Sequence, residues 1–194
     1  MEALKLREVT YADIAALPEH LIGEIIDGEL IVSPRPAPKH ALAATKTSQD
    51  LAGYDRKAGG AAGPGGWWIL FEPELHLGRH VLVPDLAGWR RERMPKMPQT
   101  AFFEVAPDWI CEVVSPQSGR RDRIQKARIY AEFGVEWFWL VDPAQQVIEV
   151  WHREGQRWIV EGTWGGDDAE ARVPPFDGVA IDLARWWETG EETP

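Results

Sequence analysis

Apolar positions in this chain come in short runs punctuated by glycine and proline, a pattern of strands more than of long helices. Ile25-Ile26 and Leu30-Ile31-Val32 flank Asp27-Gly28, which predicts a hairpin over Glu24 to Ser33. Further runs predict strands from Trp67 to Leu77 and Val81 to Trp89, joined by a turn near Gly78. Later strands are expected at Trp109 to Ser115, Glu136 to Asp142, Val147 to His152 and Trp158 to Glu161. Three stretches have helical spacing: Tyr11 to Leu17 between an N-capping Thr10 and Pro18, then His40 to Lys57, then Ser118 to Phe133. Pro34 to Pro38 reads as an extended connector, because its three prolines oppose a helix. Gly59 to Gly66 is expected to be mobile, and the tail after Gly190 frayed. Arg90 to Thr100, with Arg90, Arg91, Arg93 and Lys96, reads as an exposed loop and the main positive patch.

A strand, a helix and a strand between 109 and 142 imply a parallel pair joined by a right-handed crossover. The expected fold class is therefore α/β (α+β): a mixed β-sheet core flanked by helices, with additional antiparallel strands. With 194 residues, one domain over 1–190 is expected. No Gly-x-Gly-x-x-Gly or P-loop pattern supports phosphate binding by a glycine loop.

Composition narrows the function classes. No apolar run approaches the roughly 20 residues of a membrane span, and Met1 to Lys5 lack the basic start of a signal peptide. Cys111 is the single cysteine, so no intrachain disulfide forms. A cytoplasmic protein without a membrane partner is expected. The net charge of −10 argues against tight, metal-independent DNA binding, which draws its affinity from neutralised phosphates. Eleven tryptophans point first to core filling and second to a stacking or dimer surface, as in a Trp-rich module for carbohydrate or protein partners.

The candidate chemistry lies between Val83 and Lys126. Asp85 ends one apolar run and Glu112 sits inside the next, where a carboxylate is costly to bury without a positive partner. Two such acids on neighbouring strands suit a hard divalent cation such as Mg²⁺, to which the Val113 carbonyl could add a ligand. A nearby lysine would orient water or stabilise charge on a phosphate. On a helix, Asp122, Lys126 and Tyr130 share one stripe flanked by Phe133, which turns Lys126 inward.

The motifs occur in a characteristic order: Glu-Ile-Ile-Asp-Gly-Glu-Leu from Glu24, then His40, then Val-Pro-Asp ending at Asp85. Cys-Glu-Val-Val-Ser-Pro from Cys111 follows, then Asp-x-x-x-Lys-x-x-x-Tyr from Asp122 and Gly-Val-Glu-Trp-Phe-Trp-Leu-Val-Asp-Pro from Gly134. Over residues 20 to 152 this resembles the Uma-type restriction endonucleases of the PD-(D/E)XK nuclease superfamily. The resemblance implies a restriction-endonuclease-like fold and Mg²⁺- or Mn²⁺-dependent hydrolysis of nucleic acid, with DNA the expected substrate. It places Asp85 and Glu112 at metal-ligand positions and makes Glu24 an upstream auxiliary acid. The superfamily lysine two positions after Glu112 is replaced by Val114, and the family pattern offers Lys126 instead.

Simpler roles exist for each residue. Asp85 could end a strand, Glu112 could pair with Arg128 or Lys126, and Lys126 could bridge to Asp122. Glu24 could cap its hairpin, and His40 could cap a helix or sit near a phosphate. Ser115 lacks the Gly-x-Ser-x-Gly elbow of a nucleophile, and Cys111 faces away from Glu112. The missing lysine and the acidic balance keep open a second function, a catalytically inactive nuclease-fold binding or assembly module. A homodimer would suit the cutting of two strands.

Overall fold

Two bends, at Glu72-Pro73 and Val83-Pro84-Asp85, decide how the chain divides between two sheets. The computed structural model describes residues 8–60, 63–116 and 118–190. The elements in order are α1 (Tyr11–Ala15), β1 (Leu21–Ile26), β2 (Glu29–Pro34), α2 (Pro38–Asp50), β3 (Trp67–Phe71), β4 (Leu75–Leu77), β5 (His80–Leu82) and β6 (Leu86–Arg90). They continue with β7 (Trp109–Val113), α3 (Gly119–Arg121), a π-helical turn (Asp122–Lys126), α4 (Ala127–Glu132), β8 (Trp137–Asp142), β9 (Val147–Glu154), β10 (Arg157–Gly165) and α5 (Ala184–Trp187). One sheet has the order β2-β1-β5-β4 and the other β10-β9-β8-β7-β6-β3.

The strand expected from Trp67 to Leu77 is two strands in different sheets, and so is the one from Val81 to Trp89. The apolar pattern runs straight through both bends, which is why it conceals them. Proline cannot donate to a ladder, and Glu72 adopts a positive φ of 43°. The turn near Gly78 is present, with φ of 61°. The crossover forms as expected: β7 and β8 are parallel, with Glu112 beside Leu140.

Two other boundaries move. Helix α2 starts at Pro38 rather than His40, since a first-turn proline loses no intrahelical hydrogen bond, and ends at Asp50 before a 3₁₀ turn at Leu51–Gly53. From Glu92 to Thr100 the chain is mostly exposed, as expected, with Lys96 open to solvent, but the arginines of this stretch are engaged. Arg91 lies 3.2 Å over the Trp68 ring, Arg93 pairs with Asp108 at 2.6 Å and Arg90 with Glu136 at 3.2 Å, while Met94 is buried. The expected frayed tail, the amino-terminal residues 1–7 and part of the expected mobile glycine run lie outside the described residues.

The six-stranded sheet is covered on both faces. One face, with Trp109, Cys111 and Trp139, packs on α2 and on a segment from Ala171 to Trp187 that the strand pattern did not foreshadow. Phe176 anchors that segment. Its ring meets those of Tyr54, Trp67, Trp109 and Trp139 edge-on at 4.9–5.6 Å. The opposite face, with Ile110, Phe138 and Leu140, packs on α4 and the smaller sheet. Trp151, Trp158 and Trp164 are half-buried against these two cores, which leaves little for a Trp-lined binding face. Among the described residues, no helix is long and apolar enough to cross a membrane.

The hairpin β1–β2 is tied down at its tip. The Asp27 amide donates to His80 Nδ1 at 3.2 Å, and Arg128 donates to the Asp27 carboxylate at 2.7 Å. Burial lowers the His80 pKa below its ordinary 6.5, although Asp27 opposes the shift. The unfolded chain thus binds a proton that the folded chain resists, so stability is full above pH 6.5 and falls as pH drops below it. We expect urea midpoints of the wild type to fall between pH 7.5 and 5.5, and those of His80→Gln to fall less. Phe176→Ala should cost about 3–5 kcal/mol in the same experiment, the usual range for emptying a buried aromatic site.

Candidate active site

Glu112 projects from β7 between Cys111 and Val113, whose side chains enter the core on the other face of the sheet. Its own face meets the helix from Gly119 to Glu132, and there Lys126 reaches it. Lys126 Nζ lies 2.8 Å from Glu112 Oε1, 2.9 Å from Glu24 Oε1 and 4.0 Å from Asp122 Oδ1. Tyr130, one turn further along, donates its hydroxyl to Glu112 Oε1 at 2.6 Å. Glu24, Glu112, Asp122 and Lys126 are each at most 5% exposed. A lysine buried among carboxylates supplies the positive partner that an acid inside a strand requires.

Asp85 stands where the chain leaves β5 for β6, in line with Glu112 because β6 and β7 pair with Leu86 opposite Cys111. His40 from α2 lies with Nε2 2.6 Å from Asp85 Oδ1, and the Val113 amide donates to Asp85 Oδ2 at 2.7 Å. Glu24 Oε1 also accepts from the Val83 amide at 2.9 Å. All seven candidates from the sequence therefore border one cleft of about 550 Å³: Glu24, His40, Asp85, Glu112, Val113, Asp122 and Lys126. Three charged lining residues were not anticipated: Arg35, which pairs with Glu72 at 3.2 Å, then Glu72 itself, and Arg121. Tyr130 was noted only for its helical stripe. Its hydrogen bond to Glu112 depends on a β7–helix contact that no local spacing encodes.

The electrostatics follow from numbers of charges. Four carboxylates surround one ammonium and one imidazole in a largely dry place. Burial pushes the Glu112 carboxyl well above the usual range, and Asp122, Asp85 and Glu24 add to the shift despite Lys126. Burial likewise raises Asp122. For Lys126, burial alone would lower the pKa, but Glu112 and Glu24 outweigh it and hold the ammonium charged. Raised values on both acid and base are consistent: the cluster carries more negative charge than it can balance, so it retains protons or attracts a cation.

Among the described residues, no group of three or more His, Cys, Asp or Glu side chains gathers closely enough to hold a metal ion as it stands. Asp85 is turned to His40 and Val113, while Glu24 and Glu112 are turned to Lys126. By donor chemistry the set still fits a hard divalent cation, because it offers oxygen ligands and excess negative charge.

The fold has been seen before. A putative nuclease belonging to DUF820 from Anabaena variabilis ATCC 29413 superposes with a TM-score of 0.72, at 22% identity, over 92% of this chain and 97% of its own. At that identity the likeness establishes the fold: the restriction-endonuclease-like α+β architecture expected above. Residues 11–184 match the Uma2 family, described as putative restriction endonuclease, and the chain belongs to that family. No curated protein gives a significant match.

Removing the ammonium would strand two buried carboxylates. Lys126→Met should therefore destabilise the protein by about 3–5 kcal/mol at neutral pH, the usual cost of breaking one side of a buried ion pair. The loss should shrink in acid as Glu112, whose carboxyl burial already pushes up, takes up a proton, and equilibrium denaturation at two pH values checks both statements.

Proposed function

We propose that this protein is a divalent-metal-dependent endonuclease acting on nucleic acid, with DNA the expected substrate. One observation carries the proposal most: a buried lysine hydrogen-bonded to a mid-strand glutamate, in one cleft with the sheet-crossover aspartate. Asp85, Glu112 and the Val113 carbonyl would hold Mg²⁺ or Mn²⁺. When bound, the cation supplies Lewis-acid neutralisation of the phosphoryl oxygens and a more acidic water.

The chain's own groups do the rest. His40 and the Val113 amide fix the Asp85 carboxylate, and Tyr130 with Lys126 fixes one oxygen of Glu112, so ligand orientation is set in advance. Lys126, kept charged by its neighbours, acts as a donor toward a phosphate oxygen and not as a base. Glu24 both holds Lys126 in place and is the auxiliary acid nearest to it. The proposed working form is a cytoplasmic homodimer, in which a twofold axis would bring one such cleft to each strand of a duplex.

The second function is a nuclease-fold binding or assembly module. It is favoured by the engagement of both Asp85 oxygens with protein donors. Two measurements separate the readings. The endonuclease should bind Mn²⁺ in calorimetry, lose that binding in Asp85→Ala, and cleave plasmid or oligonucleotide DNA or RNA. Glu112→Gln should slow cleavage by about 10²–10³-fold, as for loss of one charge-stabilising group. Intact substrates together with no metal binding would leave only the module.

A further inference from the structure

Four strands form the outer edges of the two sheets: β2 and β4 of the smaller, β3 and β10 of the larger. An open edge presents N–H and C=O groups that can pair with another chain, so folded proteins cover or interrupt it. The edge of β3 is covered, since the Trp67 amide donates to the Tyr54 carbonyl and the Ile69 amide to Asp55 Oδ1, both at 3.2 Å. The edge of β4 is covered by the returning chain. His76 donates its amide to the Phe103 carbonyl at 2.8 Å, and Phe103 donates to the Glu74 carbonyl at 2.9 Å. Strand β2 is six residues long and ends in Pro34, which cannot donate to a ladder. Strand β10 is different. It is nine residues long, and no described residue outside β9 hydrogen-bonds to the backbone of Arg157 to Trp164.

The side chains along this edge say what could cover it. Ile159 is 42% and Val160 61% exposed, and as neighbours on a strand they stand on opposite faces of the sheet. Arg157 and Glu161 flank them, both exposed, and neither side chain has a hydrogen bond or ion pair with any described residue. The register with β9 shifts between Val160 and Gly162, which makes Glu161 the extra residue of a bulge. A bulge twists an edge and limits how far a partner strand can run. The usable stretch is therefore Arg157 to Glu161, with a cation at one end, an anion at the other and Ile159 at the centre. Such a stretch is complementary to itself when reversed. An antiparallel copy centred on Ile159 sets Arg157 opposite the partner subunit's Glu161 and Trp158 opposite the partner subunit's Val160.

We propose that the outer edge of β10 is the surface on which two copies of this chain pair, about a twofold axis at Ile159 that joins their six-stranded sheets edge to edge. The inference deepens the homodimer of the proposed function by giving it an interface, and it does not depend on what the cleft cuts. Charge complementarity selects a second copy over an unrelated strand, because both exposed charges find their counter-charge only in the same sequence run backwards. In a twofold interface each such contact is made twice, so one substitution changes two sites. Strand β10 lies three places from β7 in the sheet, and none of Arg157 to Glu161 lines the cleft. Changes on this edge therefore test pairing without touching Asp85, Glu112 or Lys126.

The test is sedimentation equilibrium of the full chain over a concentration series. The wild type should interconvert between monomer and dimer with a dissociation constant on the order of micromolar, as suits a small interface. Ile159→Lys should abolish the dimer, because the twofold axis brings two ammonium groups together at its centre. Arg157→Glu should weaken it about 10–100-fold, since both copies of the pair become repulsive. Adding Glu161→Arg to Arg157→Glu should restore the wild-type dissociation constant, a recovery that a merely misfolded variant would not show. A dimer that survives both Ile159→Lys and Arg157→Glu, or one that the charge swap does not recover, would overturn the β10 interface. A wild type still monomeric at roughly 100 times the expected dissociation constant would overturn the inference and the homodimer together. Cleavage that Asp85→Ala abolishes would, in either case, leave the nuclease reading standing.

Discussion

One buried ammonium organises this protein. Lys126 takes Glu24 from the smaller sheet, Glu112 from the larger sheet and Asp122 from its own helix, so a single group joins three parts of the fold. A buried ion cluster is poor evidence for stability, because desolvation offsets most of the attraction. Its stronger effect is on arrangement. Any shift of the helix by a residue would leave two carboxylates buried without a counter-charge, a cost that a purely apolar contact would not impose. The π-turn at Asp122–Lys126 lies at this point in the helix, as such turns often do at functional sites.

The two sheet crossovers serve the same arrangement. Had Val81 to Trp89 been one straight strand, Asp85 would lie within a ladder, pointing from one face of one sheet. The Pro84 break instead puts it at the junction, where a side chain from α2 and an amide from β7 both reach it. The bend at Glu72 lies alongside, and its amide donates to the Asp85 carbonyl at 3.0 Å. Positive φ at a non-glycine residue beside a proline is costly backbone, and here it borders the cleft.

Much of this was legible from the chain alone. The hairpin, the parallel crossover, the inward-facing lysine and the separation of Cys111 from Glu112 all follow from period and spacing, which are local. The split strands were not legible, because hydrophobic alternation does not record which of two sheets a residue joins. Nor was the docking of Ala171 to Trp187: those residues have no regular period and gain their order from the aromatic pocket around Phe176. Among the site residues, the acids and Lys126 stood out as charges in apolar surroundings. Tyr130 and Arg121 did not, since a tyrosine on a buried stripe and an arginine on a helix are unremarkable until their surroundings are known.

The acidic composition counts against tight, metal-independent DNA binding without excluding a nuclease. The structure locates part of that charge and changes what it implies. Five carboxylates line the cleft, Glu24, Glu72, Asp85, Glu112 and Asp122, against Arg35, Arg121, Lys126 and His40, so a phosphate approaching it as it stands meets an excess of negative charge. Affinity for an anionic polymer must then come from positive charge added at the carboxylates. A protein built this way would bind nucleic acid weakly in the absence of divalent cations, whatever its family membership. Net charge is thus a poor guide to the partner of an enzyme whose electrostatics are set by a loaded site. The distribution of charged groups around that site is the better one.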